Sequence, residues 1–226
     1  MKNIVVIGAS RGIGWELVKQ LSKDNKVLAI SRNQDRLAQL ATESGCSIAA
    51  IDISSAILKT ELHKAITSNF KSVDVLINNA GYLVNKSYDD LTLEDIQSIY
   101  LTNVFGVMLS CQAIIPFMNK GSHIVNIGSI GGVQGSVKFP GLSAYSSSKA
   151  AIAGYSECLA EELKDDEIQV NCLALGAVQT EMLAEAFPGY EAPTSAAEMA
   201  EFIADFSLRA NQWLNGKIIP VSKSTP

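Results

Sequence analysis

Tyr145 and Lys149 stand four residues apart in the run Tyr145-Ser146-Ser147-Ser148-Lys149, at the head of an apolar-patterned segment. Four residues on a helix is about one turn, so both side chains share a face. A phenol beside an ammonium is a candidate proton donor. A free tyrosine loses its proton near pH ~10, too high for chemistry at neutral pH. A cation within a few ångströms favours the phenolate and lowers that value. The spacing alone recurs on many exposed helices, so its meaning depends on what else the chain supplies.

A second cluster lies near the start. The apolar run ending at Ile7 passes into Gly8-Ala9-Ser10-Arg11-Gly12-Ile13-Gly14 and then into a helical pattern. Glycines permit a tight turn and let a phosphate approach the backbone. The helix that follows offers unpaired N–H groups and a positive dipole end to a pyrophosphate. Gly8, Ser10, Arg11, Gly12, Ile13 and Gly14 are therefore candidate dinucleotide contacts. The same residues fit Gly-x-Ser-x-Gly, the nucleophile elbow of α/β-hydrolases, which would make Ser10 a nucleophile. The elbow normally follows several strands, however, and its partners come in the order Ser, acid, His. The two histidines are His63, inside a predicted helix, and His123, at the start of a predicted strand. Both read as ordinary surface or strand-end residues.

These residues need a frame. With 226 residues, 47% of them hydrophobic, the chain can bury the core of one large domain, expected over 1–226. A charged fraction of 18% argues against a disordered chain. The net charge is −5 and no basic run occurs, so nucleic-acid binding is not expected. Cys46, Cys111, Cys158 and Cys172 form no Cys-x-x-Cys pair, and no metal site is expected. They read as small buried hydrophobes in a reducing compartment. The first apolar run, residues 4–7, is too short for a signal peptide, and no stretch is read as approaching the ~20 apolar residues of a membrane span. A soluble, cytoplasmic protein is expected.

Short β-branched runs alternate with helical patterns. Strands are predicted over 3–7, 26–30, 47–51, 73–77, 123–127, 169–174 and 217–221. Helices are predicted over 12–23, 35–43, from an N-cap at Ser54 to 69, over one long span 93–119 that Pro116 interrupts late, and over 143–164 and 196–208. Such alternation argues for an α/β fold, a doubly wound, Rossmann-like parallel sheet of about seven strands with helices on both faces. The near-continuous apolar strands suit a sheet buried on both sides. The site then falls at the carboxyl ends of the strands. The least regular stretch, 176–195, contains Pro188, Gly189 and Pro193 and is a candidate mobile lid.

Taken with the residues between them, the glycine turn and the Tyr–Lys pair make the chain resemble the short-chain dehydrogenase/reductase family, over nearly its whole length and with the motifs in order. Gly8-x-x-x-Gly12-Ile13-Gly14 is similar to the family's cofactor turn. Asp52, after the third strand, resembles the acid that holds the adenine amino group, with Ile53 beside it. Asn78-Asn79-Ala80-Gly81 is similar to the signature that packs beside the adenosine, which implies cofactor contacts at Asn79, Ala80 and Gly81. Gly176, Val178 and Thr180, after the sixth strand, are implied contacts as well. Asn103 matches the family's helix asparagine, and Ser129 sits where the family keeps its serine, so Asn103, Ser129, Tyr145 and Lys149 complete a catalytic constellation. Three residues depart from the pattern. Ile7 stands where Thr is usual, Gly128 where the first serine of a Ser-Ser pair is common, and Leu175 where Pro is usual. The interval from Ser129 to Tyr145 is long, so a loop over 136–142 should protrude near the site, and the segment after Thr180 is short for the family.

The resemblance implies an oxidoreductase that moves a hydride between a nicotinamide cofactor and a carbonyl or secondary alcohol. Ser129 and Tyr145 would bind the carbonyl oxygen, and Tyr145 would act as general acid or base. Lys149 would lower the tyrosine pKa and grip the nicotinamide ribose, and Asn103 would position water in a proton relay. NAD enzymes usually place an acid after the second strand to bind the ribose 2′-hydroxyl. Here the strand ends in Ser31-Arg32-Asn33, with no acid until Asp35. Arg32, helped by Ser31, can pair with a 2′-phosphate, and Arg11 adds a second cation. NADP(H) is therefore favoured over NAD(H). A non-catalytic dinucleotide sensor would need the glycine turn but not the four catalytic residues. Epimerases and dehydratases that share Tyr-x-x-x-Lys generally carry a larger C-terminal substrate domain. The helices over 93–119 and 143–164 are apolar beyond what one face needs, and in the resembling family they pair between subunits, which implies a homodimer or homotetramer.

Overall fold

In the computed structural model, residues 1–223 are described. The expected single-domain span, 1–226, includes residues 224–226, which lie outside the described residues. The strands are β1 Asn3–Ile7, β2 Lys26–Ser31, β3 Ser47–Ala50, β4 Val73–Asn78, β5 Met118–Ser129, β6 Gln169–Leu175 and β7 Lys217–Val221. They form one parallel sheet in the order β3-β2-β1-β4-β5-β6-β7. The chain runs outward in one direction from β1 to β3 and in the other from β4 to β7. The switch between β1 and β4 opens a crevice at the carboxyl ends of the strands.

The helices are α1 Gly12–Leu21, α2 Gln34–Ser44, α3 Leu58–Asn69, α4 Leu93–Tyr100, α5 Gly106–Ile114, α6 Ser143–Glu162, α7 Glu181–Ala186 and α8 Ala196–Arg209. The period of two along β1 decides which helices meet which face. Val5 and Ile7 point into one core with Leu62 and Ile66 of α3, Cys111 of α5 and Ile152 of α6. Ile4 and Val6 point into the other with Leu17 and Val18 of α1, Leu37 and Leu40 of α2 and Ile203 of α8. β1, β2 and β4 are thus sandwiched, as their apolar runs require, while the edge strands β3 and β7 are only partly covered.

Several expectations are corrected. Ser54 does not cap α3. The Asp52 carboxylate accepts both the Ser54 N–H at 2.9 Å and the Ser54 hydroxyl at 2.7 Å. That local turn competes with capping, and α3 starts at Leu58 without a side-chain cap. The span 93–119 is not one helix. A π turn, Leu101–Phe105, separates α4 from α5, and a short 3-10 turn, Ile115–Phe117, replaces the last helical turn at Pro116. β5 then begins at Met118, before the expected His123. The stretch Leu93–Phe117 also has the length and mean hydropathy, 1.5, of a membrane-spanning helix, contrary to the expectation of none. Half of that window is buried inside the fold. His123 is fully buried, bonded through Nδ1 to the Ser207 carbonyl and through Nε2 to the Asn171 amide. Burial holds its imidazole down at about 4. Of the cysteines, Cys46, Cys111 and Cys172 are buried but Cys158 is exposed, and all are free thiols.

Candidate active site

The glycine turn follows β1 at the switch point. Gly8 has φ +88°, and a Cβ there would stand 2.5 Å from the backbone N and Cα of Ala80. A Cβ on Gly14 would stand 2.0 Å from the Gly8 carbonyl oxygen. Only glycine fits either position, and the loop after β4 therefore lies directly on the turn. The contact is tied twice more: the Asn79 amide donates to the Gly8 carbonyl at 2.8 Å, and the Asn79 N–H to the Ile7 carbonyl at 2.9 Å. The turn delivers the amino end of α1 to a cleft with a cavity of about 810 Å³.

That cleft gathers nearly every residue singled out from the sequence. Gly8, Ser10, Arg11, Gly12, Ile13, Ser31, Arg32, Asp52 and Ile53 line one end. Asn79, Ala80, Gly81, Ser129, Tyr145 and Lys149 line it as well, and so do Gly176, Val178 and Thr180, the Thr180 side chain lying 3.2 Å from where a Cβ on Gly12 would stand. Gly14 and Asn103 do not line it. Gly14 is buried behind the turn, and Asn103 is buried against α6.

Tyr145 and Lys149 project from the first turns of α6, with the Lys149 Nζ 5.8 Å from the Tyr145 ring centre. Ser129, at the end of β5, lines the cleft with them, its Oγ accepting from the Gly131 N–H at 3.3 Å. The Lys149 ammonium donates to the Ile127 carbonyl at 2.8 Å. The expected lowering of the tyrosine pKa is not seen here. Burial pushes the phenol up to about 12, opposed by the Ser129 hydrogen bond. The same burial brings Lys149 down to about 8. Desolvation dominates at both groups, opposed by Ser129 at Tyr145 and by Cys172 at Lys149.

Asn103 sits in the π turn. Its Oδ1 accepts from the Tyr82 N–H at 2.7 Å, and its Nδ2 donates to the Tyr82 carbonyl and to the Ser148 hydroxyl, each at 2.9 Å. The carboxamide thus ties the π turn to the loop after β4 and to α6, one residue before Lys149. Gly81 lies between Lys149 and Asn103: a methyl there would stand 3.6 Å from the Lys149 Nζ and 3.8 Å from the Asn103 Oδ1.

The far end of the cleft is cationic. Arg32 follows β2, and Arg36, one helical turn on, lines the cleft as well. Arg36 was not foreseen. Its signal was the i, i+4 spacing from Arg32, behind the Asn33 side chain that caps α2. Partial burial raises the Asp52 pKa, but hydrogen bonds from Ser54 and the charge of Arg32 leave it below the ordinary value. Arg11 does not face water alone. Its guanidinium meets Glu185 of α7, at 2.6 Å and 3.4 Å.

The stretch 176–195 is more ordered than its composition suggested. The Gln179 N–H donates to the Thr194 carbonyl at 2.8 Å, closing the neck of the loop, and α7 occupies its middle. Thr180 caps α7 by accepting from the Leu183 N–H. Gly176 donates its N–H to the Val221 carbonyl, which anchors the loop that Leu175 begins. The sequence also gave no notice of the buried polar chain under α6, in which the Asn78 amide donates to Asn126 at 2.8 Å and the Asn126 amide donates to Ser156 at 2.9 Å.

Ser10 borders the cleft, but among the described residues no histidine does. His63 packs edge-on against Phe117, and His123 is locked against α8. Ser10 has no base within the site, so the hydrolase alternative lacks its machinery. No group of three or more His, Cys, Asp or Glu that could hold a metal ion occurs among the described residues. What the site does fit is a dinucleotide. It has a glycine turn at a helix amino end for the pyrophosphate, cations beyond β2, and an elongated cleft past a Ser–Tyr–Lys cluster.

A parallel sheet in this order, with a glycine turn at its switch point and a Ser–Tyr–Lys cluster at its strand ends, defines a nucleotide-binding oxidoreductase of the Rossmann-like class. The chain belongs to the short-chain dehydrogenase family, whose description it matches over residues 2–191. Carbonyl reductase family member 4 of Xenopus laevis is 37% identical over 192 residues, 81% of this chain and 78% of that protein. A 3-oxoacyl-acyl-carrier-protein reductase of Chlamydia trachomatis is 30% identical over 190 residues, 80% of this chain and 75% of that one. A short chain dehydrogenase of Burkholderia cenocepacia, solved in complex with NADP, superposes with a TM-score of 0.85 at 27% identity, covering 98% of this chain and 96% of that one.

Proposed function

We propose that the protein reduces a carbonyl compound to a secondary alcohol, or runs the reverse oxidation, with NADP(H) as cofactor. The observation that carries this reading is the convergence of Ser129, Tyr145 and Lys149 on the same cleft as the glycine turn. The bound cofactor supplies or accepts the hydride at the carbonyl carbon. Ser129 and Tyr145 hydrogen-bond the carbonyl oxygen and polarise it. As the oxygen takes up charge, the Tyr145 hydroxyl gives its proton to it, so the alcohol leaves with one hydride and one proton added. A phenol held near 12 stays protonated at neutral pH, which suits the donor role in reduction. Lys149 offers its ammonium to the nicotinamide ribose and returns a proton to Tyr145.

The Asn103 carboxamide is committed to Tyr82 and Ser148. Its role in this reading is to hold α6 in register, while the π turn frees main-chain carbonyls that can bind a relay water. Arg32 and Arg36, with Arg11 beside them, favour a 2′-phosphate over a bare ribose hydroxyl. Leu93, Leu101, Phe105 and Leu109 leave an exposed apolar strip along α4 and α5. A second copy offering the same strip would cover it about a two-fold axis, which supports a homodimer or a larger even assembly. Light scattering should then give twice the chain mass or a higher multiple. The function itself is tested by following NADPH and NADH absorbance with a panel of ketones and aldehydes. NADPH should be consumed at least tenfold more efficiently. A clear preference for NADH would overturn the reading of the arginines, and no consumption of either cofactor with any carbonyl would overturn the activity.

A further inference from the structure

We infer that the carbonyl substrate is an uncharged molecule with an apolar body the size of an aromatic ring; this rests on the reductase reading above. Past Tyr145 the cleft is walled by Tyr82, Phe139, Leu142, Met182, Phe187 and Tyr190. Three of these are large and stand 40–51% exposed at the rim: Tyr82, Phe139 and Tyr190. Large apolar side chains left open around a cleft mark a surface that a ligand covers. Offset or edge-on ring contacts with them add about 0.5–1.5 kcal/mol beyond simple burial.

Charge at this end points the same way. Of the cations that line the cleft, Arg32 and Arg36 follow β2, Arg11 is already paired with Glu185 of α7, and Lys149 donates to the Ile127 carbonyl. The two lysines of the neighbouring loops are engaged elsewhere. The Lys86 ammonium meets Asp95 at 2.6 Å, and the Lys138 ammonium donates to the Val133 carbonyl and the Ser136 hydroxyl, each at 2.6 Å. A carboxylate or phosphate on the substrate body would lose its hydration here with no cation to replace it. The body is held in place by the loops themselves. Asn85 donates to the Ala186 carbonyl at 2.8 Å, and Lys86 donates its N–H to the Gly141 carbonyl at 3.2 Å. These contacts tie the post-β4 loop to both the end of α7 and the 136–142 loop.

A matched pair of substrates tests this with the native enzyme. Ethyl benzoylacetate and benzoylacetate share the ketone and the ring and differ in one charge. With NADPH, kcat/KM should favour the ester by tenfold or more. Phe139→Ala, a change at a rim position, should lower kcat/KM for the ester by about tenfold, mostly through KM. The same variant should cost ethyl acetoacetate, which lacks the ring, several-fold less than it costs the benzoyl ester. Equal or better use of the carboxylate, or the same loss on both esters in the variant, overturns the substrate inference and leaves the reductase reading standing. Turnover of small ketones with neither benzoyl compound used also overturns it. Only a failure with every carbonyl reaches back to the activity.

We also infer that Glu185 competes with the cofactor's 2′-phosphate for Arg11, so that α7 must shift as NADP(H) enters. The Arg11–Glu185 pair joins residues 174 apart in sequence and ties α7 to the glycine turn. Glu181, one turn earlier on α7, brings its carboxylate to 3.5 Å from where a Cβ on Gly12 would stand. Two carboxylates of one short helix therefore face the turn that would hold phosphates. The test is calorimetric binding of 2′,5′-ADP and 5′-AMP to the full chain. Glu185→Gln should tighten 2′,5′-ADP three- to tenfold and leave 5′-AMP within twofold. Equal effects on both nucleotides, or none, overturn the competition. Failure of the native protein to bind 2′,5′-ADP more tightly than 5′-AMP would instead count against the NADP(H) reading.

Discussion

At the end of the cleft nearest β1 and β2, the walls are a glycine turn fixed by backbone contacts, a capped helix and three arginines. At the other end they are aromatic and aliphatic side chains carried on loops and one short helix. The first end is dictated by sterics at single atoms: the space a Cβ would need at Gly8 or Gly14 is already filled by backbone. The second is dictated by packing among segments far apart in sequence. Such a division suits a protein that must hold one invariant cofactor and one particular substrate, because the fixed end can be shared across a family while the loop end varies.

The largest way to break the contrast is Gly8→Ala. The new Cβ would stand 2.5 Å from Ala80 backbone in a left-handed conformation, so a loss of about 3–5 kcal/mol in urea unfolding is expected. Gly45→Ala is its control. Gly45 also has positive φ, 72°, but nothing lies within 4 Å, and about 1 kcal/mol should be lost. Equal losses at the two sites would show that conformation alone, not the contact with Ala80, fixes the turn.

Lys149, between the two ends, should show a conflict of stability with function. Burial lowers its pKa from the ordinary 10.5 to about 8, so below pH 8 the fold holds a buried cation that the unfolded chain solvates more easily. Between about pH 8 and 10 the unfolded state binds the extra proton, so stability should rise with pH there, until Tyr145 ionises in the unfolded chain near pH 10 while the folded phenol keeps its proton, which reverses the trend. Lys149→Met should therefore stabilise the protein by about 3 kcal/mol at pH 7, flatten that rise, and be inactive. A smaller effect is expected at the exposed end. Arg32→Ala should cut the preference for NADPH over NADH by about tenfold, roughly 1.4 kcal/mol, without changing stability by more than ~0.5 kcal/mol.

How legible each end was in the sequence follows from the same contrast. The glycine turn, Tyr145 and Lys149 are local patterns, and the sheet that carries them announces itself in the unbroken apolar runs of β1, β2 and β4. The element errors fall where a local competitor or a two-sided apolar pattern intervenes. Asp52 captures Ser54 and moves the start of α3. The stretch Leu93–Phe117 carries a helical apolar pattern on both sides of Asn103, so its period could not reveal the π turn there. Arg11 read as a cation for phosphate, but its partner Glu185 lies 174 residues away and no local rule connects them. α7 is six residues long between a turn and Pro188, too short to show a helical period. The raised phenol of Tyr145 was hidden for another reason: spacing shows that a cation is near, and only the packed structure shows how much water both groups have lost.

In the proposed reaction Tyr145 moves the proton while the glycine turn and the arginines hold the cofactor. Steady-state reduction of a ketone by the Tyr145→Phe variant, read beside its NADPH dissociation constant from fluorescence titration, tests it most directly. A fall in kcat of about 10²-fold or more, with NADPH binding within about threefold of the native value, is the expected result. Near-native turnover in that variant would contradict the account.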